Sequence, residues 1–323
     1  GRLALFTPRP RCEGGITMTR VAAIDCGTNS LRLLIADVDP VTREVRDLDR
    51  LMEIVRLGEG MDATGEFAEA ALVRTFAVCD RYAEIISSHD VERVRFVATS
   101  ASRDARNRGD FIAGVLARLG VEPDVISGDE EARLSFAGAT NGLVGAKEPY
   151  LVVDIGGGST EFVLGSTHPE AARSVNIGCV RMTERHFRND PPSKDEIDAA
   201  IADIDAAIRL AGSVVPLDQA RTLVGLAGSV TTAAAIALGL TEYDPSRIHG
   251  ARLSAQLIGE VSDRLLSMSR PERAEIAVMH PGRVDVINAG VLVLRRILDL
   301  TGLPEVLVSE HDILDGIALS LAD

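Results

Sequence analysis

The 323-residue chain carries 48 acidic against 34 basic residues, a formal net charge of −14. That balance excludes a nucleic-acid-binding surface, which neutralises phosphates with clustered lysine and arginine, so a polyanionic ligand would need a divalent cation and a few arginines converging on one cleft. The four cysteines, Cys12, Cys26, Cys79 and Cys179, form no C-x-x-C pair and have no close spacing to histidine, which excludes a disulfide framework or zinc site and predicts a reducing, cytoplasmic setting.

A chain of this length suits about two domains of ~150 residues each. Residues 1–17 contain Arg2, Arg9 and Arg11, but their apolar run at 3–6 is too short for a signal peptide, so they read as a disordered extension ahead of Met18. Apolar runs at 21–24 and 31–36 then flank the turn Asp25-Cys26-Gly27-Thr28-Asn29-Ser30. Residues 43–61 read as strand and loop with a turn at Arg56-Leu57-Gly58, and 66–88 as an amphipathic helix. A strand at 94–99 leads through Thr99-Ser100-Ala101-Ser102-Arg103 into a helix, followed by a helix at 110–119 and a strand at 121–126. After Ser127-Gly128-Asp129-Glu130-Glu131-Ala132-Arg133, a helix over about 132–142 crosses into the second half.

That half opens on the same pattern: apolar runs at 150–153 and 162–164 flank Asp154-Ile155-Gly156-Gly157-Gly158-Ser159. Both turns read D-x-G-x-x-S, and each is strand, tight turn, strand. Ser193, with Glu196 three places on, forms a capping box for a helix at 194–210. The uncharged stretch 223–240 is long enough to span a membrane but holds three glycines and central hydroxyl residues, so it reads as strand, loop, helix. Helices at 254–267 and 283–301, a strand at 305–309 and a helix at about 312–321 complete the chain. Alternating strands and helices give an α/β class. The repeated hairpin predicts two duplicated domains, 18–136 and 137–323, flanking a cleft, with the terminal helix packing back on the first.

Gly-, Ser- and Thr-rich turns let main-chain N–H groups crowd around an anion. Gly27, Thr28, Asn29 and Ser30, with Gly156, Gly157, Gly158 and Ser159, are therefore candidate phosphate ligands, although a triple-glycine turn alone is also a plain tight turn. Arg32 occupies in the first copy the place Glu161 holds in the second. Asp154 and Glu161, on neighbouring strands near the open end of one hairpin, suit a hard divalent ion that keeps several waters; the plainer reading is that Glu161 is solvated. Glu130 and Glu131 read most simply as acids favoured by a helix N-terminus. Arg103, at a helix start beside the cleft, is either a phosphate clamp or a surface arginine. Gly228 and Ser229, between a buried strand and a helix, suit an anion or nucleoside or close helix packing. The histidines have no ligand spacing, and nothing near Cys26 activates it.

Together these blocks, D-C-G-T-N-S-L-R, A-T-S-A-S-R-D-A-R-N at 98–107, S-G-D-E-E-A-R-L-S-F at 127–136, V-V-D-I-G-G-G-S-T-E-F at 152–162 and G-L-A-G-S-V-T-T at 225–232, resemble the exopolyphosphatase and guanosine pentaphosphate phosphohydrolase (Ppx/GppA) family, a branch of the actin, sugar kinase and heat-shock ATPase superfamily. The resemblance implies two actin-like, ribonuclease H-like domains. It implies Glu131 as the base that activates water, Asp154 and Glu161 as ligands of Mg²⁺, and the two turns as phosphate cradles assisted by Arg32 and Arg103. The expected substrate is inorganic polyphosphate; guanosine pentaphosphate is the nearest alternative, and an actin-like or kinase-like ATP-binding protein the alternative of another class. The chain resembles the short members that lack extra C-terminal helical domains, which implies a preference for short polymers. Neither a membrane nor a nucleic acid is an expected partner, and a homodimer is left open.

Overall fold

The computed structural model describes residues 18–143 and 145–322; the expected extension at 1–17 lies outside the described residues. The first sheet contains β1 (Thr19–Cys26), β2 (Ser30–Val38), β3 (Val45–Ile54), β4 (Arg93–Ala98) and β5 (Asp124–Val125) in the order β3-β2-β1-β4-β5. The second contains β6 (Tyr150–Ile155), β7 (Thr160–Gly165), β8 (Pro169–Val175), β9 (Thr222–Leu226), β10 (Arg252–Ser254) and β11 (Glu305–Val308) in the order β10-β11-β9-β6-β7-β8. In each, an antiparallel meander continues into parallel strands: β1 pairs with β4 as β6 pairs with β9, and β4 with β5 as β9 with β11. Five strands of one sheet thus repeat the other, with β10 added at an edge. This is a duplicated α/β architecture.

The local reasons are legible. β6 and β7 are buried along their whole length, which is why they read as continuous apolar runs. Ser127 Oγ accepts the Glu130 N–H and starts the helix Gly128–Thr140, whose first turn holds three acids. The capping box of Ser193 and Glu196 starts the helix Lys194–Gly212 as expected.

Other expectations change. The strand expected at 121–126 shrinks to Asp124–Val125, and β8 and the helix Cys179–His186 were not foreseen. Residues 223–240 hold no loop between strand and helix: β9 passes straight into the helix Ala227–Ala237 through Ala227, at a left-handed φ of 70°. Residues 283–301 divide into a tight turn, Pro281–Arg283, and the helix Ile287–Thr301. The crossing helix expected over about 132–142 spans Gly128–Thr140, starting one turn earlier.

One face of the first sheet packs against the helices Glu69–Ser87 and Arg108–Leu119 through Ile24, Phe96, Tyr82 and Phe111. Its other face, with Val21, Ala23, Leu34 and Ala36, is covered by the terminal helix Ile313–Ser320 through Ile313, Leu314, Ile317 and Leu319. The terminal helix also crosses the helix Gly128–Thr140 at backbone contact. A Cβ on Gly138 would fall 1.8 Å from Asp312 O, and one on Gly316 1.9 Å from Leu134 O.

A polar cluster fastens the same helix to β3. Arg50 donates to both oxygens of Asp315, at 2.6 and 3.2 Å, and His311 Nδ1 lies 2.9 Å from Asp315 Oδ1. Burial raises the Asp315 pKa, but the His311 hydrogen bond and the Arg50 charge outweigh it and hold the group down at about 2; the same hydrogen bond raises His311.

Gly316→Ala should lower stability by about 1–3 kcal/mol through overpacking. Gly259→Ala, where a Cβ meets open space, should raise it by ~0.5–1 kcal/mol; denaturant midpoints check both. The cluster's contribution to stability should be complete between the ordinary Asp value of 3.8 and the ordinary His value of 6.5. It should be lost as pH falls through about 2 for Asp315, and as pH rises through the raised pKa of His311. Unfolding midpoints measured across pH should show both slopes flattened in Asp315→Asn.

Candidate active site

The two D-x-G-x-x-S turns face each other between the lobes, and both close on the same hydrogen bond: Gly27 N–H donates to Ser30 O, and Gly156 N–H to Ser159 O, each at 3.0 Å. Their carbonyls are taken by neighbouring segments. Gly58 N–H donates to Thr28 O, and Val55 and Arg56 to Asn29 O. In the second lobe Cys179 donates to Gly156 O, Val180 and Arg181 to Gly157 O, and Arg181 Nε to Gly158 O. The N–H groups of Thr28, Asn29, Gly157 and Gly158 have no partner among the described residues. Carbonyl dipoles that would repel an anion are spent, and the N–H dipoles that attract one are left over.

The glycines also serve the approach of the lobes. A Cβ on Gly157 would fall 2.8 Å from Thr28 Cβ, and one on Gly158 2.6 Å from Ser100 Oγ. Sequence alone assigned these glycines to a phosphate; the first lobe's own side chains occupy that side of them.

A cavity of about 510 Å³ runs between the lobes, lined by both turns, Glu131 and Asp154. Asp154 and Glu161 are directly opposite in the β6–β7 ladder, one residue from the turn, at the closed end of the hairpin and not its open end. The helix Gly128–Thr140 brings Glu131 to the same corner. All three carboxylates are buried, Glu131 and Asp154 7% exposed and Glu161 1%, with Glu161 behind the cavity wall. Glu161 is therefore not a solvated acid. Arg103 Nη1 donates to Glu131 Oε2 at 2.7 Å and to Ile126 O at 3.0 Å. Ser135 Oγ donates to Asp154 Oδ2 at 2.8 Å, and Ser159 Oγ and Ser174 Oγ each donate to Glu161 Oε1 at 2.7 Å.

Burial, then the Glu161 charge, pushes Glu131 well above its ordinary 4.5, against the pull of Arg103. Burial with the charges of Glu161 and Asp312 pushes Asp154 up to about 8. Burial also raises Glu161, whose serine donors work in the opposite direction. Glu161 Oε2 is buried without a hydrogen-bond partner. Among the described residues no three acidic, thiol or imidazole groups enclose a metal by themselves. The donor set suits a hard divalent ion that takes one or two carboxylates and completes its shell with water and substrate oxygens.

Three expected phosphate ligands have other company. Arg32 lines the cavity, but its guanidinium is bracketed by Asp25, at 2.7 and 3.0 Å, and by Asp312. Arg103 is turned onto Glu131, outside the cavity wall. The Ser159 hydroxyl is committed to Glu161, which leaves only its main chain for an anion. Gly228 and Ser229 also line the cavity, and a Cβ on Gly228 would land on the Arg283 guanidinium, 1.1 Å from Nη1. Arg283 was missed because residues 283–301 read as one helix. Its Nη2 contacts Met52 Sδ at 3.1 Å, it has no ion pair among the described residues, and burial lowers its pKa. Ser135 and Ser174 were missed too: a serine in a helix or a weakly patterned strand carries no signal of its partner.

The model of the Ppx/GppA phosphatase family matches residues 34–323. Exopolyphosphatase 2 of Mycobacterium tuberculosis is 49% identical over 318 residues, covering 95% of this chain and 100% of that protein. The crystal structure of an exopolyphosphatase-like protein superposes with a TM-score of 0.92 at 44% identity, covering 94% of this chain and 98% of that one. The Aquifex aeolicus PPX-GPPA enzyme does so with 0.78 at 31% identity, covering 94% and 99%. Sequence and structure agree along nearly the whole chain, and the protein belongs to the Ppx/GppA phosphatase family.

Proposed function

We propose that the chain is an exopolyphosphatase that removes terminal phosphate from inorganic polyphosphate. The observation that carries this is the pair of opposed turns with free N–H groups next to a buried carboxylate, Glu131, oriented by Arg103. A terminal phosphoryl group cradled by Thr28, Asn29, Gly157 and Gly158 would lie beside Glu131. Glu131 takes a proton from a water as that water's oxygen bonds to the terminal phosphorus; the bond to the bridging oxygen breaks and orthophosphate leaves. N–H dipoles fixed in advance stabilise the charge on the transferred group. Asp154 and Glu161 would hold a Mg²⁺ ion, which supplies charge neutralisation at the phosphoryl oxygens. Arg283, a cavity-lining cation with no ion pair among the described residues, would meet the charge of the remaining polymer.

The cavity also has apolar wall residues, Met52, Val278 and Met279, as well as Gly228 and Ser229. They favour guanosine pentaphosphate as the second reading, with its nucleoside there and its 5′ phosphate at Glu131. Phosphate release from polyphosphates of defined length and from guanosine pentaphosphate, each with and without Mg²⁺, separates the two. Polyphosphate should be the better substrate, the rate should fall when Mg²⁺ is chelated, and kcat/KM should be higher on short than on long polymer, since the bounded cavity holds few phosphate units. A clear preference for the nucleotide or for long chains would overturn that assignment.

Glu131→Gln should lower kcat by about 10²–10⁴-fold with little change in substrate affinity. Single-turnover kinetics with an equilibrium binding measurement checks it, and near-normal turnover would remove Glu131 from the role of base.

A further inference from the structure

Each carboxylate of the candidate cation site is fastened by serine hydroxyls on one oxygen and left open on the other. On Glu161 both donors, Ser159 and Ser174, use Oε1, while Oε2 is buried and without a partner. On Asp154, Ser135 holds Oδ2, which leaves the second oxygen for the cavity that Asp154 lines. The donors come from separate elements. Ser174 on β8 is directly opposite Glu161 in the β7–β8 ladder. Ser135 is four residues beyond Glu131 on one helix, so both side chains leave the same face. The helix makes room for Ser174 by beginning with a glycine, since a Cβ on Gly128 would fall 2.6 Å from Ser174 Cβ.

We propose that Ser135 and Ser174 are positioning residues that restrict Asp154 and Glu161 to one ligating oxygen each, and so bias the site toward Mg²⁺ over Ca²⁺. This rests on the reading of Asp154 and Glu161 as the cation ligands. On Glu161 two hydroxyls fill both lone-pair sites of Oε1, and on Asp154 one hydroxyl takes one of the two sites of Oδ2, so in each case the other oxygen is the better ligand and single-oxygen ligation is favoured. Mg²⁺ demands octahedral geometry at 2.0–2.1 Å and is served by single oxygens, whereas Ca²⁺ takes 6–8 ligands and uses bidentate carboxylates readily. Hydroxyl groups donate without adding charge, so they orient the carboxylates and leave their negative charge available to the ion. Loss of such an outer partner commonly weakens metal binding 10–100-fold.

The test is calorimetric titration of the full chain with Mg²⁺ and with Ca²⁺, for the unmodified protein, Ser174→Ala, Ser135→Ala and Asp154→Asn. Each serine variant should weaken Mg²⁺ by about 10-fold or more while changing Ca²⁺ less, so that the ratio of the two dissociation constants moves toward Ca²⁺. If Mg²⁺ affinity is unchanged, or both ions weaken equally, the proposal falls. If Ser174→Ala does not fold, Ser135→Ala on the other element decides by the same criterion. Asp154→Asn separates the two levels: loss of Mg²⁺ binding there with no effect of the serines overturns the positioning role alone, while intact Mg²⁺ binding overturns the ligand reading as well.

Discussion

Three carboxylates share one dry corner of the cleft, and like charges that have lost their water cannot all ionise at ordinary pH. Glu131, Asp154 and Glu161 are each pushed up by burial, and the charge of Glu161 pushes Glu131 and Asp154 up further. Much of the surrounding structure is a response to that conflict. Arg103 gives Glu131 a cation, three serine hydroxyls orient the other two, and a crossing helix is required to deliver Glu131 to a corner built by the second sheet. For the base proposed at Glu131, burial raises its basicity and Arg103 limits the rise, two opposed effects on one pKa.

The duplication explains why the conflict sits in one lobe. In β1–β2 the register pair is Asp25 and Arg32, an acid against a base, which satisfies itself and recruits Asp312. In β6–β7 the same register pair is Asp154 and Glu161, two acids. One difference in residue type turns a self-neutralising hairpin into one that sets two acids side by side. The turns meanwhile keep the same hydrogen-bonded closure in both copies, so the backbone geometry is shared while the electrostatics diverge.

What could be read from the sequence was whatever is local and periodic. The two hairpins, the capping box at Ser193 and Glu196, the terminal helix and the glycine turns all announce themselves within a dozen residues, and the pairing of Arg32 with Glu161 by position followed from aligning the copies. Burial of Glu161, and the partners of Arg32 and Arg103, did not follow, because they depend on which elements pack together: Asp312 reaches Arg32 from the far end of the chain. Glu131 is the sharpest case. Its local signal is that of an ordinary helix N-terminal acid, and the family resemblance, not spacing, singled it out. Arg283 shows the opposite failure, where a periodic apolar pattern absorbed a residue that belongs to the turn before the helix.

The covering of the first sheet by the helix Ile313–Ser320 has a consequence for biosynthesis. Val21, Ala23, Leu34 and Ala36 belong to the first hairpin of the first sheet, yet the residues that shield them are made only after all the strands of the second sheet. During translation the first lobe therefore carries a bare apolar face while the whole second lobe is being synthesised, the kind of surface that chaperones bind and that favours premature association. The same arrangement makes completion of the early lobe depend on a much later segment: a product truncated before Asp312 would lack both the cover of β1 and β2 and the carboxylate beside Arg32, so its first lobe would be unstable and open to proteolysis.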